Sequence, residues 1–307
     1  MVEADSITLV RIEHQGDHFV LQQCLRETLG ADEDSKDVLN ALIKQHGLEK
    51  IPSVSLVSQG SHSMTQIEAP DVPPAELKAA VRWRIKDLID FHIDDAVIDV
   101  FEIPGRSNED KSNMMTAVAT RVSTVREQVD MMEAANLSIS AIDIPELAMR
   151  NVAGLLEEDV KGVAMLYFSR NSGLMTLTRQ RYLYLSRPID VGAEYLMQLA
   201  TPTGAEGLDG MDMRLQGLLD KIVLEVQRSL DYYESHFAQA PIKTVVIAPL
   251  QKTVPGMLEY LTANLSLNVR MLDFNELFES DVELDPETQA NMMLACGAAL
   301  REEHKEL

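Results

Sequence analysis

The chain has 307 residues, and its 27 Lys and Arg against 49 Asp and Glu give a formal net charge of −22. Hydrophobic residues make up 46% of it, which excludes intrinsic disorder and allows two lobes with a core each. The acidic balance argues against nucleic acid as a partner, because a phosphate backbone requires a clustered cationic face. Cys24 and Cys296 show no metal-ligand spacing, so we expect free thiols in a reducing compartment.

No stretch of the sequence reaches the ~20 uncharged apolar residues that span a bilayer. The first residues, Met1 to Asp5, are acidic and are not followed by an apolar leader. We therefore expect a cytoplasmic protein without direct membrane insertion, which is held at a membrane only through a partner.

Apolar periodicity predicts alternating strands and helices in the first half of the chain. The predicted elements are, in order, strands at 7–12 and from 19, a helix from about 32 to 47, a strand at 53–57, a helix behind Pro74, strands at 96–101 and 114–119, a helix at 122–135 and a strand at 138–144. The apolar stripe predicted for the helix behind Pro74 consists of Leu77, Val81, Ile85, Leu88 and Ile89.

The second half of the chain opens with a meander and continues with helices and strands in alternation. The predicted elements are strands at 163–168, 174–178 and 182–185, helices near 191 and at 215–237, a strand at 242–248, a helix at 255–264, a strand at 268–272 and a helix at 286–301. Lobe I is therefore predicted at 1–145, with an inserted subdomain at about 71–136. Lobe II is predicted at 146–307, with its last helix, at about 286–301, packing back toward lobe I.

Three local stretches give this order of elements a resemblance to a known family. Residues 77–101 read LKAAVRWRIKDLIDFHIDDAVIDVF, residues 183–192 read LYLSRPIDVG, and residues 224–233 read LEVQRSLDYY. Together with the helix that ends at Arg301, they resemble the PilM family of type IV pilus assembly proteins over nearly the whole chain. The resemblance implies a two-lobed actin-like α/β fold, of the class shared with Hsp70 and FtsA, with mixed sheets and flanking helices.

The same resemblance implies an adaptor in the inner-membrane assembly platform of a pilus. The implied partner is the N-terminal cytoplasmic peptide of a PilN-like single-span membrane protein, and the pilus assembly ATPase is a further candidate. Within the family, the size without a fused membrane segment is most similar to the component of the mannose-sensitive haemagglutinin (MSHA) pilus system.

The family's partner-binding subdomain falls on the helix behind Pro74. This helix carries a basic stripe around the single tryptophan of the chain: Lys78, Arg82, Trp83 and Lys86. Trp and Arg are frequent interface anchors, which favours a docking surface for the partner peptide. The alternative is a solvated helix face whose cations are balanced by Asp87 and Asp90.

The nucleotide site that the family fold implies departs here from the family pattern. Family members carry Asp-x-Gly in two phosphate loops, whereas this chain has residues 14–17 (HQGD) at the first and residues 169–173 (SRNSG) at the second. A glycine pair on the adenosine side is replaced by residues 248–250 (APL), in which proline lacks an amide donor. The residues left as adenosine contacts are Glu225, Arg228 and Ser229. We therefore expect no required cofactor, at most weak binding of ATP with Mg²⁺, and a scaffold rather than an enzyme.

Two other functions stay open at this point. One is a working ATPase or kinase of the same superfamily, which the missing Asp-x-Gly loops argue against. The other is the cytoplasmic part of a type II secretion platform protein of the GspL type, in which a transmembrane segment should follow the domain.

Several local features have simpler structural explanations. His14 and His18 flank a turn, but no third metal ligand lies near them in sequence. The glycines between residues 204 and 210 precede a helix, as in a phosphate cradle, but Asp209 and Asp212 would repel a phosphate. Acidic residues at a helix start are better explained as caps.

Overall fold

The computed structural model describes residues 1–16, 18–104, 114–200 and 212–302 of the chain. The strands are β1 (Ser6–Gln15), β2 (His18–Thr28), β3 (Pro52–Leu56), β4 (His62–Glu68), β5 (Ala96–Ile103), β6 (Met114–Arg121), β7 (Ser138–Asp143), β8 (Val163–Phe168), β9 (Gly173–Arg179), β10 (Tyr182–Ile189), β11 (Thr244–Ile247) and β12 (Asn268–Met271). The helices are α1 (Ser35–Gln45), α2 (Pro74–Ile85), α3 (Val122–Ala134), α4 (Pro145–Ala153), α5 (Ala193–Leu199), α6 (Met213–Phe237), α7 (Met257–Leu265) and α8 (Pro286–Ala299).

These elements form two compact units, and neither unit is continuous in sequence. The first comprises the described residues of Met1–Arg11, Gln23–Ala148 and Leu294–Leu307, and the second those of Ile12–Gln22 and Met149–Met293. The tip of the β1–β2 hairpin, which the prediction placed in lobe I, belongs to the second unit. The C-terminal part of α8, predicted in lobe II and packing back toward lobe I, belongs to the first unit. Sequence periodicity locates an element but does not say which core it joins.

The first unit contains an antiparallel sheet in the order β4-β6-β5, and α2 packs against it. Pro74 lies at the start of α2, where a proline has no hydrogen bond to lose. Val81 and Ile85 recur at helical spacing and are buried against the sheet. Leu88, predicted in the same stripe, follows the last turn of the helix and is 58% exposed.

The first strand of this sheet, β4, is absent from the sequence prediction. Ile67 is the single buried residue among its seven, so the alternation that marks a strand is shallow. The sheet therefore begins earlier than the subdomain predicted at 71–136. At the other end of that range, α3 contributes Met131 to a separate core with Ile7, Leu39 and Ile43.

The second unit is built on a five-stranded sheet in the order β10-β9-β8-β11-β12. β8, β11 and β12 are parallel, whereas β8, β9 and β10 form the antiparallel meander. The long helix α6 presents the predicted apolar stripe, with Leu219, Ile222 and Val226 fully buried. Ala238 ends the helix in the left-handed conformation.

The C-terminal part of α8 passes very close to α4 within the first unit. A β-carbon built on Gly297 would lie 2.1 Å from the carbonyl oxygen of Ala148. The glycine therefore permits a backbone approach that a side chain would prevent. Just beyond α8, Arg301 Nη1 lies 2.6 Å from the buried carboxylate of Asp143 at the end of β7.

Glu158 and Arg270 form a charged hydrogen bond within the second unit. Arg270 Nε, in β12, donates to Glu158 Oε1 at 2.7 Å. This hydrogen bond lowers the pKa of the Glu158 carboxyl below its ordinary value of 4.5.

Replacing Glu158 by glutamine is expected to make the stability of the fold less sensitive to acid. A carboxyl whose pKa is lowered by folding stabilises the protein above its unfolded pKa, and this contribution disappears as the pH falls through the folded pKa. Urea denaturation should therefore show wild type more stable than Glu158→Gln at neutral pH, with the two converging below about pH 4. A gap that stayed constant in acid would contradict the role of the ionised carboxylate.

None of the described helices is both long and apolar enough to cross a bilayer. The two cysteines are free thiols, and burial raises the pKa of the Cys296 thiol.

Candidate functional site

The residues predicted for docking divide into two groups on α2, and the first group faces solvent. Trp83 is 73% exposed, and Lys86 Nζ lies 5.3 Å from the centre of its indole ring. This distance is within the range of a cation–π interaction, which holds the two side chains together. Ala79, one turn before Trp83, is also exposed. Its small apolar side chain leaves the Trp83 ring accessible on that side.

Arg82 belongs to the second group, which binds other parts of the chain. Its guanidinium donates to the carbonyl oxygen of Ala96 at 3.3 Å and to that of Ile93. It also lies 3.3 Å from the carboxylate of Asp94. Arg82 thus links α2 by hydrogen bonds to the turn that leads into β5.

Lys78 has a similar position one turn earlier, with its Nζ 3.0 Å from Asp99 Oδ1 in β5. Lys78 and Arg82 are therefore paired with acidic residues of β5 and of the turn before it. They are not paired with Asp87 and Asp90, which the sequence spacing favoured. Lys78 and Arg82 thus each have an acidic partner within the chain, whereas Lys86 lies over the Trp83 ring.

The three residues expected near adenosine all lie on α6 but differ in exposure. Glu225 Oε1 lies 3.3 Å from Arg228 Nη1, and the Arg228 side chain is mostly exposed. Ser229 is 2% exposed and packs inside the unit. The structure therefore brings Glu225 and Arg228 together at the surface and leaves Ser229 in the core.

The loop at the second phosphate position, between β8 and β9, is closed by internal hydrogen bonds. Ser169 Oγ donates to the carbonyl oxygen of Ser172 at 2.9 Å. The backbone N–H groups of Ala193 and Glu194 donate to the carbonyl oxygens of Ser169 and Arg170 at 2.8 and 3.1 Å. These are the first N–H groups of α5, the groups that would bind an anion at a helix N-terminus. Here they donate to the loop instead.

The segment that replaces the adenosine-side glycine pair offers few backbone donors. The Ala248 N–H donates to the carbonyl oxygen of Leu166 at 2.7 Å, as a continuation of the parallel sheet. Pro249 has no N–H, and the side chain of Leu250 is buried.

The two histidines of the first hairpin contact protein groups. His14 stacks on Phe19, with ring centroids 4.6 Å apart, and His18 Nδ1 lies 3.9 Å from Glu279 Oε1. Within the described ranges, no group of three His, Cys, Asp or Glu is arranged to hold a metal ion.

The glycine stretch considered as a phosphate cradle, Gly204, Gly207 and Gly210, lies outside the described residues together with Asp209. Asp17, in the turn of the first hairpin, also lies outside them. Asp212 is described, and its side chain accepts a hydrogen bond from the Arg214 N–H at 2.7 Å. It is the N-cap of α6, so the predicted capping role of this residue is confirmed.

Comparison with known proteins was made at the level of family and of structure. The family described as type IV pilus assembly protein PilM matches residues 2–196, more than half of the chain. The fold is similar to the PilM-PilN type IV pilus biogenesis complex, with a TM-score of 0.73 and 19% identity over 97% of this chain and 96% of that chain. A search of curated sequences gives no match.

Two further solved structures show a weaker likeness. The cytoplasmic domain of EpsL, an inner membrane component of the type II secretion system of Vibrio cholerae, has a TM-score of 0.44 and 9% identity over 94% of each chain. The ethanolamine utilization protein EutJ from Carboxydothermus hydrogenoformans has a TM-score of 0.45 and 9% identity over 97% of this chain and 90% of that chain.

The chain has an actin-like α/β fold, with mixed sheets and flanking helices, as predicted. It belongs to the PilM family of type IV pilus assembly proteins. The family resemblance found in three short stretches of the sequence is therefore confirmed.

Proposed function

We propose that this chain is an adaptor in the assembly platform of a type IV pilus and binds the N-terminal cytoplasmic segment of a PilN-like single-span inner-membrane protein. Membership of the PilM family carries the proposal. The likeness to the PilM-PilN complex over nearly the whole chain supports the choice of partner. In this role the chain is cytoplasmic and peripheral to the inner membrane, and the pilus assembly ATPase is a second candidate partner.

A binding measurement tests this function directly. The probe is a fluorescent synthetic peptide with the N-terminal cytoplasmic sequence of the PilN-like protein from the same genome. Fluorescence anisotropy should show saturable binding of this peptide and none of a scrambled peptide of equal composition. Equal signals from the two peptides would overturn the adaptor function.

The proposed docking surface is the exposed face of α2 around Trp83 and Lys86. Its support is the 73% exposure of the tryptophan and the ammonium that lies over its ring. Lys78 and Arg82, predicted as partner contacts, would act indirectly, since both bind residues in or next to β5.

We also propose that the nucleotide site is degenerate and that the chain is a scaffold rather than an enzyme. Two features support this. One is the loop at residues 169–172, which is closed by hydrogen bonds. The other is the segment at 248–250, in which the Ala248 N–H is used within the sheet and Pro249 has no N–H. The Glu225–Arg228 pair would provide at most a weak contact to adenosine.

Purified protein is accordingly expected to hydrolyse ATP no faster than a buffer control, because the loops that hold phosphate and Mg²⁺ in active relatives of the fold are replaced. Release of inorganic phosphate measures this, and a thermal shift with Mg-ATP measures binding. Turnover that disappears in Glu225→Ala would show an active site and contradict the scaffold.

We further propose that the pilus served is of the MSHA type, where the chain would take the part of MshI. Membership of the PilM family and the three family stretches support this choice. Expression of the chain in a strain that lacks MshI should restore its pili, and a failure to do so despite normal protein levels would contradict it.

A further inference from the structure

The second unit has a groove at the end of its sheet that is opposite to the nucleotide position. The groove has a volume of about 440 Å³ and lies between the C-terminal half of α6, the segment before β11 and the turn from α7 to β12. Lys243 directly precedes β11 and Asn268 begins β12, so these parallel strands start at the groove. Residues 169–173 and 248–250 follow the other ends of β8 and β11. The groove is therefore separate from the nucleotide position.

The floor of the groove is apolar and its walls are linked to each other. Leu230 and Leu265 are nearly buried, and Ile242 is 2% exposed. Gln227 Nε2, on α6, donates to the carbonyl oxygen of Asn264 on α7 at 3.2 Å. This hydrogen bond joins the two helices beside the groove, so its shape is largely formed before a ligand arrives.

The α6 wall carries two exposed carboxylates, those of Asp231 and Glu234, which are one helical turn apart. Neither carboxylate forms an ion pair or a hydrogen bond with another described side chain. Arg228, one turn before Asp231, is bound to Glu225 instead. Lys243, on the opposite wall, is the one cation among the described residues that line the groove, and it is not paired with either carboxylate. The groove thus holds two acidic groups without a partner.

The ends of two helices add negative potential to the same groove. Leu265 is the last residue of α7, and Glu234 lies in the last turn of α6. The last carbonyl groups of a helix have no partner within the helix and give its C-terminus a partial negative charge. Two carboxylates and two helix ends outweigh the single ammonium of Lys243, so the groove favours a cation.

We propose that this groove binds an arginine-bearing segment of a partner protein, with the guanidinium between Asp231 and Glu234 and the apolar neighbours of the arginine on Leu230 and Leu265. The planar guanidinium has five N–H donors and can bind two carboxylates at once, whereas an ammonium is a compact charge. The groove belongs to the second unit, and its use does not rest on the proposed binding of a PilN-like protein at α2.

A short peptide tests the chemistry of the groove. The probe is acetyl-Leu-Arg-Leu-amide, titrated into isotope-labelled protein and followed by the NMR shifts of the backbone amides of Ser266 and Leu267. These shifts should saturate, and the same peptide with glutamine in place of arginine should bind at least about tenfold more weakly. Absence of saturable shifts would overturn the proposal, and equal binding of a lysine peptide would overturn the choice of a guanidinium.

Variants of the protein test the two carboxylates. Asp231→Asn combined with Glu234→Gln should weaken binding of the arginine peptide at least about tenfold. Asp281→Asn combined with Glu283→Gln is the matched control, because it removes the same two charges from an exposed segment of the same unit outside the groove. This control should bind like wild type. Equal losses in the two double variants would reduce the binding to general attraction by an acidic chain and overturn the site.

Lys243→Met should have the opposite effect and tighten binding about two- to threefold, because it removes a cation that repels the guanidinium. Weaker binding in this variant would contradict a groove that selects cations. Sedimentation of the protein alone tests a second copy of the chain as the occupant. A dimer that disappears in the Asp231 and Glu234 double variant would assign the groove to self-association and overturn the partner segment.

Discussion

Replacing Gly297 by alanine is expected to lower the free energy of unfolding by about 3 kcal/mol or more, because the new methyl group cannot be placed without moving a helix. Its carbon would lie 2.1 Å from the Ala148 carbonyl oxygen and 2.5 Å from the carbonyl carbon. Both obstacles are backbone atoms of α4, so no rotamer change relieves the overlap. Urea denaturation of the purified variant measures the loss.

Gly217→Ala is the matched control, since it makes the same chemical change in another helix. Gly217 lies within α6, and a β-carbon there would meet nothing within 4 Å. Alanine should stabilise this helix by about 0.5–1 kcal/mol, because it reduces the freedom of the unfolded chain. Similar effects of the two substitutions would contradict the close contact between α8 and α4.

Replacing Trp83 by alanine is expected to weaken binding of the PilN-like peptide by at least about 30-fold, as for an aromatic hot spot of an interface. The melting temperature should hardly change, because substitutions at exposed positions usually alter stability by no more than about 0.5 kcal/mol. Fluorescence anisotropy and differential scanning fluorimetry on the same preparation give the two quantities. A variant that binds like wild type would place the docking site away from Trp83.

Arg82→Ala should give a different pattern, because Arg82 acts within the chain. Its loss leaves the carbonyl oxygens of Ala96 and Ile93 without this donor, and we expect a loss of about 1–3 kcal/mol in stability. Lys86→Ala, on the same helix, removes a cation that lies over Trp83 and should leave stability nearly unchanged. Charge reversal of Arg82 and Lys86 together would therefore mix a folding defect with a binding defect.

The sequence predicted the fold where apolar periodicity was strong and missed it where an element is only half-buried. The stripe of α6 and the buried strands β8 and β9 have many apolar residues at regular spacing, so they were found. β4 was missed because its side chains lie at an open sheet edge and need not be apolar.

The candidate site shows the same limit. The basic stripe of α2 was visible in the sequence, but the partners of Lys78 and Arg82 come from β5 and the turn before it. Only the packing of α2 on the sheet brings these groups together, and helical spacing therefore pointed to the wrong carboxylates. The groove of the second unit had no sequence signal, since its walls come from separate segments that only the fold brings together.

The discontinuous first unit has a consequence for synthesis on the ribosome. The described residues from Leu294 to Glu302 belong to a unit whose other segments end at Ala148. At bacterial elongation rates, roughly 7–30 seconds pass between the translation of these two positions. During that time the surface that later receives Gly297 and its neighbours is uncovered on the nascent chain, where a chaperone can bind it. The C-terminal part of α8, which is translated after the second unit, thus completes the first unit.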